Sequence, residues 1–251
     1  MPQLPPEYLD PQTPPDVEVT DRIPPRYADP TMGVEVAAAD DAAAHALVTV
    51  GDSLTHGMSS AAVFHTDLSW PAVVARSLGV DLPVPIYGGP LGGLPFNIEG
   101  LLRGLQAKFG DQLNPLEFVA MPLELHRLCD DNEDYWERGD GARPPRTDIR
   151  YANLGIYGWD VRDCLSYTAA VAAARIAAAP AHDDLLGAVP SNDNDIAARS
   201  VSAPFGPSAA QIDAARSLGA DRGIGTLVIA HGSNNALRSV VDKRVAWSDS
   251  P

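Results

Sequence analysis

Three segments of the chain are predicted to be strands of one sheet. Residues 47–50 are apolar or β-branched without polar alternation, which is typical of a strand buried on both faces in a parallel sheet. Residues 149–154 form a second predicted strand, and residues 225–230 a third that is also expected to be buried. The sheet is therefore expected to lie inside the molecule, covered by helices.

Helical patterns fall between these strands. One is predicted at Trp70–Leu78, with Pro in its first turn and Gly79 at its end. Others are predicted at 97–109, at the Ala-rich segment 161–179 and at 209–218, whereas 181–207 is predicted to be a loop. Strands that alternate with helices favour an α/β fold whose parallel strands are joined by right-handed crossovers.

The remaining segments set the domain boundaries. Residues 1–44 are rich in proline, which fixes φ and removes a donor, so they are predicted to be an extended N-terminal arm. Residues 45–251 are predicted to be one domain. Within it, residues 80–147 are interpreted as an irregular insertion on the substrate side, ending in the polar run 130–146. Such a segment is either a lid or specificity loop or a plain surface excursion.

Composition narrows the classes of partner. The chain has 18 Lys and Arg against 33 Asp and Glu, a net charge of −15, which disfavours nucleic acid and anionic lipid as partners. Cys129 and Cys164 are too few and too far apart for a disulfide framework or a zinc site, and no metal or organic cofactor is implied. No secretory signal or bilayer-spanning run is visible, so a cytoplasmic protein is expected.

The first strand ends in a turn that carries a candidate nucleophile. Residues 51–54 read Gly-Asp-Ser-Leu, so Ser53 follows the carboxyl end of a buried strand. Open α/β sheets bind ligands in the crevice beyond these strand ends. Asp52 is expected to cap the turn through backbone N–H groups rather than take part in the chemistry.

This turn resembles the signature of the GDSL family of serine esterases and lipases, also called SGNH hydrolases. Two later segments are similar to further blocks of the family. They are Asn-Leu-Gly-Ile-Tyr-Gly at 153–158 and Gly-Ser-Asn-Asn at 232–235, where Asn235 departs from the commoner Asp.

The resemblance implies a fold, a reaction and a site. The fold is a flavodoxin-like α/β/α sandwich of three layers with a parallel sheet of about five strands. The reaction is cleavage of a carboxylic ester of a small molecule. Ser53 takes the position of the nucleophile, and Gly158 and Asn234 take the positions of the oxyanion-hole donors.

The family's fourth block, Asp-x-x-His, is missing from this chain. None of the six histidines has Asp three residues before it. His56 is too close to Ser53 in sequence to approach its hydroxyl, and His231 is also expected to be a local hydrogen-bonding residue. We therefore expect the chain to be truncated, incomplete in its sheet, and weakly active or inactive.

Two other interpretations stay open. The chain could be a non-catalytic protein that binds a small molecule on the same scaffold, since fold alone does not define function. It could also fail to fold stably, because missing strands would leave a sheet edge and a core face exposed.

Overall fold

The computed structural model describes residues 43–144, 148–178, 189–235 and 237. The predicted arm at 1–44 therefore lies almost wholly outside the described residues. The strands are β1 His45–Gly51, β2 Met58–Ser59, β3 Ala62–Val63, β4 Leu94–Pro95, β5 Asn153–Gly155 and β6 Ile224–Ala230. The helices are α1 Ser53–His56, α2 Trp70–Leu78, α3 Ile98–Phe109, α4 Pro115–Glu137, α5 Val161–Ser166, α6 Ala169–Ala178, α7 Asp193–Ser202 and α8 Gln211–Arg222, with 3₁₀ turns at Thr66–Leu68, Asp140–Ala142 and Ala203–Phe205.

A parallel sheet of three strands confirms the predicted α/β class. Its order is β5-β1-β6, so the first parallel strand in the chain lies between the second and the third. Gly51 pairs with Gly155 on one side and with Ala230 on the other. The carboxyl ends of the three strands are therefore level, and the turns that follow them meet at one edge.

The central strand is as buried as its apolar run predicts. Leu47, Val48, Thr49 and Val50 are each at most 1 % exposed. The second strand is shorter than predicted, because only Asn153–Gly155 pair with β1, although the Ala152 carbonyl also accepts from the Thr49 backbone N–H at 2.9 Å.

The prediction that the third strand is buried was wrong. β6 forms as expected, but Leu227 is 43 % exposed and Ile229 is 59 % exposed. The strand pairs only with β1 and lies at the edge of the sheet among the described residues. Its sequence is suited to burial, but burial depends on the elements that cover a strand, and little covers β6 here.

Several helices begin and end close to the predicted positions. α2 has Pro71 in its first turn and ends at Gly79, which is left-handed at φ +68°. Asn97 caps α3 by accepting a hydrogen bond from the Gly100 backbone N–H. α8 begins two residues later than predicted and continues to Arg222.

The predicted irregular insertion at 80–147 is largely helical instead. α4 covers 23 residues and includes the first part of the polar run, residues 130–137. A capping box fixes its start. The Asn114 side chain accepts a hydrogen bond from the Glu117 backbone N–H, and the Glu117 carboxylate accepts one from the Asn114 backbone N–H. Charge pairs four residues apart, such as Arg127 with Asp131, support the helix further along.

The predictions of one helix at 161–179 and of a loop at 181–207 were also wrong. The Ala-rich segment at 161–179 is not one helix, because Tyr167 and Thr168 separate α5 from α6. The described part of the predicted loop at 181–207 contains α7, whose Ile196, Ala197 and Val201 are at most 2 % exposed. These apolar side chains give α7 a face that packs into the core, and their burial stabilises the helix. The polar residues at the start of the segment do not predict a helix.

A second sheet, which the sequence did not predict, joins three very short strands. Its order is β2-β3-β4 and its pairings are antiparallel. Within the described ranges, no helix has the length and apolar character that crossing a bilayer requires.

Candidate active site

The three turns that carry the candidate residues are linked to one another at the carboxyl edge of the sheet. Ser53 lies two residues beyond Gly51 in β1, Gly158 three residues beyond Gly155 in β5, and Asn234 four residues beyond the end of β6. The ladder therefore places all three at the same edge of the sheet. Side-chain hydrogen bonds then join each turn to its neighbours.

The Ser53 turn is fixed by the residue before it. Asp52 is buried, and its Oδ1 accepts a hydrogen bond from the Leu54 backbone N–H at 3.3 Å, so the predicted capping role is confirmed. Ser53 is the first residue of α1 and is half-buried. Among the described residues, none forms a hydrogen bond with the Ser53 hydroxyl, which leaves this oxygen available to a ligand.

The β5 turn approaches α1 closely because of its glycines. A Cβ atom at Gly155 would lie 2.4 Å from the His56 backbone nitrogen, a distance that no side chain tolerates. Gly158 is exposed and has φ +80°, a left-handed conformation that favours glycine. The turn can therefore present backbone N–H groups beside α1 without a side chain in the way.

Asn153 connects β5 to the first strand and helix, a role that the sequence interpretation missed. Its Oδ1 accepts from the Thr49 hydroxyl at 3.2 Å and from the Gly155 backbone N–H at 3.0 Å. Its Nδ2 donates to the Thr55 carbonyl at 2.8 Å. Asn153 is fully buried, so these bonds form out of water and hold α1 against the β5 turn.

The turn after β6 bonds to both of the other turns. Asn234 Nδ2 donates to the Trp159 carbonyl at 2.7 Å, one residue beyond Gly158. The Ser233 hydroxyl donates to Asp52 Oδ2, one residue before Ser53. The three predicted site residues are thus brought together, although one hydrogen of the Asn234 amide is already used.

Gln211, the first residue of α8, forms hydrogen bonds near the carboxyl ends of all three strands. Its Nε2 donates to the Gly51 carbonyl at 2.8 Å and also to the Leu154 carbonyl. Its Oε1 must then be the atom that faces His231, whose Nε2–H donates to it at 2.8 Å. Gln211 is fully buried, so one side chain contacts the ends of β1 and β5 and the residue that follows β6.

This contact also sets the protonation of His231. Because Nε2 carries the hydrogen, Nδ1 holds the lone pair, and no described residue bonds to it. Burial lowers the pKa of His231, while the nearby carboxylates of Asp52, Asp160 and Asp163 act in the opposite direction. His231 is therefore neutral at pH 7, but no hydrogen bond joins it to Ser53 among the described residues.

The geometry of His56 excludes it as the base for Ser53. Its Nδ1 accepts from the Tyr157 backbone N–H at 3.2 Å, and its Nε2 is 3.1 Å from the Tyr87 hydroxyl. Both ring nitrogens are therefore occupied. The ring is fully buried, which lowers its pKa from 6.5 to about 3 and keeps it neutral. The expectation that His56 is a local hydrogen-bonding residue is confirmed.

The site therefore offers a free hydroxyl and several N–H donors, but no base within hydrogen-bonding distance of Ser53 among the described residues. Such a set can bind a carbonyl compound and stabilise negative charge on its oxygen. No family model, curated protein or solved structure matches this chain.

Proposed function

We propose that the crevice is an ester-cleaving site of the GDSL/SGNH type, in which Ser53 attacks the carbonyl carbon of a small carboxylic ester. The observation that carries the proposal is the convergence of three distant turns. The Ser53, Gly158 and Asn234 turns follow adjacent parallel strands, and Asn234 and Ser233 bond directly to the other two. Parallel pairing levels the three strand ends, and the bonds from Ser233 and Asn234 then hold the three turns against one another.

The sheet order supports the same proposal. The parallel strands lie in the order second, first, third, which matches the beginning of the 2-1-3-4-5 order of flavodoxin-like folds. In that fold a ligand binds where the strand order reverses, beside the first strand. Ser53 directly follows this strand.

Each group would have a separate role in acyl transfer. The Ser53 oxygen would bond to the carbonyl carbon, and the negative charge would develop on the carbonyl oxygen. The backbone N–H groups of Ser53 and Gly158 would stabilise that oxyanion, together with the second amide hydrogen of Asn234. The Ser53 proton, passed through solvent water, would leave with the departing alkoxide as the alcohol, and a second water would then release the acid from the acyl-enzyme and restore the Ser53 hydroxyl.

The rate of this reaction is expected to be low. The proton of the Ser53 hydroxyl needs an acceptor, and neither His56 nor His231 bonds to it. Serine hydrolases that lack one triad member keep roughly 10³–10⁴-fold catalysis over water, which arises from binding and the oxyanion hole. That residual catalysis does not require the nucleophile, so we expect slow turnover of which only the part that passes through an acyl-enzyme depends on Ser53.

Hydrolysis of p-nitrophenyl acetate and butyrate tests the proposal. The chain and its Ser53→Ala variant are compared at equal concentration, and release of p-nitrophenol is measured with buffer alone as the background. We expect slow release above background from the chain and slower release from the variant, which keeps the oxyanion donors but cannot form the acyl-enzyme. Equal release from both proteins would remove Ser53 from the mechanism.

The second candidate function is binding of a small carbonyl compound without cleavage. Two observations favour it. Within the described part of the chain no base forms a hydrogen bond with the Ser53 hydroxyl, and the Asn234 amide already donates one hydrogen bond to a backbone carbonyl. Under this alternative, butyrate and butyramide would bind equally to the chain and to Ser53→Ala, and no p-nitrophenol would be released. Calorimetric titration of both proteins separates the two functions.

A further inference from the structure

The first turn of α7 reaches the Gly158 turn, although the two are far apart in sequence. A Cβ atom built on Gly158 would lie 3.0 Å from Asn194 Oδ1 and 3.2 Å from Asn194 Nδ2. The Asn194 carboxamide therefore occupies the space beside Gly158 that a side chain would otherwise take. Its amide atoms are the nearest to a Cβ built on Gly158, the residue whose backbone N–H is proposed to donate to the oxyanion.

The backbone that carries Asn194 is held in place by its neighbours. Asn192 is buried and donates from Nδ2 to the Trp136 carbonyl at 3.3 Å. Asp195 is also buried, and it accepts a hydrogen bond from the Tyr167 hydroxyl. The residues on both sides of Asn194 are therefore anchored in the core.

The Asn194 side chain, in contrast, is exposed and makes no hydrogen bond within the described residues. Its backbone N–H donates to Asp193 Oδ1 at 2.7 Å. An ordinary surface asparagine would also be exposed. The difference here is that a fixed backbone places a free carboxamide beside a left-handed glycine at the rim of the crevice.

We propose that the Asn194 carboxamide determines substrate specificity at this site by hydrogen-bonding a polar substituent on the carbon next to the ester carbonyl. This inference rests on the proposed function. The carboxamide offers two N–H donors and one acceptor, so it can bond a 2-hydroxyl group in either direction. An alkyl substituent in the same place would displace water from the carboxamide and return no hydrogen bond.

The size of the preference follows from that loss. Because Asn194 is exposed and can also bond to water, the gain is that of one net hydrogen bond, which typically changes binding by about 2- to 12-fold. We therefore expect kcat/KM for a 2-hydroxy ester to exceed that for the matched plain ester by a factor in this range. Removal of the carboxamide should abolish the preference without abolishing hydrolysis.

The test compares ethyl 2-hydroxybutyrate with ethyl butyrate. Hydrolysis is followed by acid release with the protein in excess, so that slow turnover does not limit the measurement. In Asn194→Ala the ratio of the two rates is expected to fall to about one, while the rate for ethyl butyrate changes by less than about threefold. Gln106→Ala, which removes an exposed carboxamide from α3, is the control and is expected to keep the ratio.

The possible failures are distinguishable. An unchanged ratio in Asn194→Ala would overturn the role of Asn194 and leave Ser53 as the nucleophile. Equal losses for both esters would show that Asn194 acts only on the shape of the turn, which also overturns the inference. If Ser53→Ala hydrolyses both esters as fast as the unaltered chain, the proposed function fails and this inference fails with it.

Discussion

Replacement of Gln211 by Leu tests whether one buried side chain ties the strand ends together. Leucine has a similar volume, so the substitution leaves no large cavity, but it removes the hydrogen bonds of the carboxamide. The Leu154 carbonyl loses a donor, and the His231 Nε2–H loses its acceptor. The Gly51 carbonyl is affected less, because it also accepts from the Ile156 backbone N–H at 3.0 Å.

The expected destabilisation follows from these losses. A buried polar group left without its partner costs about 1–3 kcal/mol, so the two groups together give about 2–6 kcal/mol. That is a large part of the 5–15 kcal/mol by which domains are typically stable. The loss should also make the site less ordered. The Gln211 side chain bonds to the ends of β1 and β5 and to the residue after β6, so its removal frees all three.

The assay is urea unfolding followed by tryptophan fluorescence. Gln106→Leu is the matched control, since Gln106 is exposed and bonds only to Asp111, and it should change the free energy of unfolding by less than about 0.5 kcal/mol. If Gln211→Leu is no less stable than this control, the strand ends do not depend on the carboxamide and the reasoning is refuted.

Three further substitutions have expected outcomes. Gly158→Ala places a Cβ at φ +80° and close to Asn194, so the rate of ester hydrolysis should fall by about 10²-fold or more while circular dichroism stays unchanged. Ser233→Ala removes the hydroxyl that donates to Asp52, which should lower the free energy of unfolding by about 1–2 kcal/mol in urea titrations. His56→Asn should flatten the dependence of stability on pH between pH 3 and 6.5, measured by urea unfolding at several pH values.

The sign of the His56 effect follows from its lowered pKa. Below pH 6.5 the unfolded chain binds a proton at His56, but the folded chain does not until about pH 3. Stability is therefore complete above pH 6.5 and falls as the pH drops, by at most about 1.4 kcal/mol per pH unit. His65→Asn is the control, because His65 is exposed and asparagine tolerates its positive φ. Equal slopes in the two variants would contradict a buried neutral His56.

The features that could be predicted from the sequence are those that local pattern determines. The apolar run of β1, the Pro and Gly at the ends of α2 and the Gly-Asp-Ser-Leu turn each depend on neighbouring residues. Parallel pairing then follows from the alternation of strands and helices. Because this pairing also levels the strand ends, the convergence of the three turns was predictable as well.

The features that were missed depend on tertiary contacts or on a weaker local signal. The capping box of Asn114 and Glu117 was present in the sequence and could have identified α4. No local pattern shows that Gln211 is buried, because glutamine is usually exposed and its three partners lie 20 to 160 residues away. The exposure of β6 is likewise decided by what packs on it, and not by its own apolar residues.

The most direct test of the central claim is to map the serine that reacts with an alkyl fluorophosphonate. The serine oxygen bonds to phosphorus, fluoride leaves and the P=O oxygen faces the oxyanion donors, so the label reports on the site without full turnover. Labelling is expected to be slow, because no described residue accepts the Ser53 proton. Peptide mass spectrometry of the folded chain is expected to find the adduct on Ser53, and Ser53→Ala should remain unlabelled. An adduct on another residue, or equal labelling of the folded and urea-unfolded chain, would contradict the proposal that these three turns form a hydrolytic site.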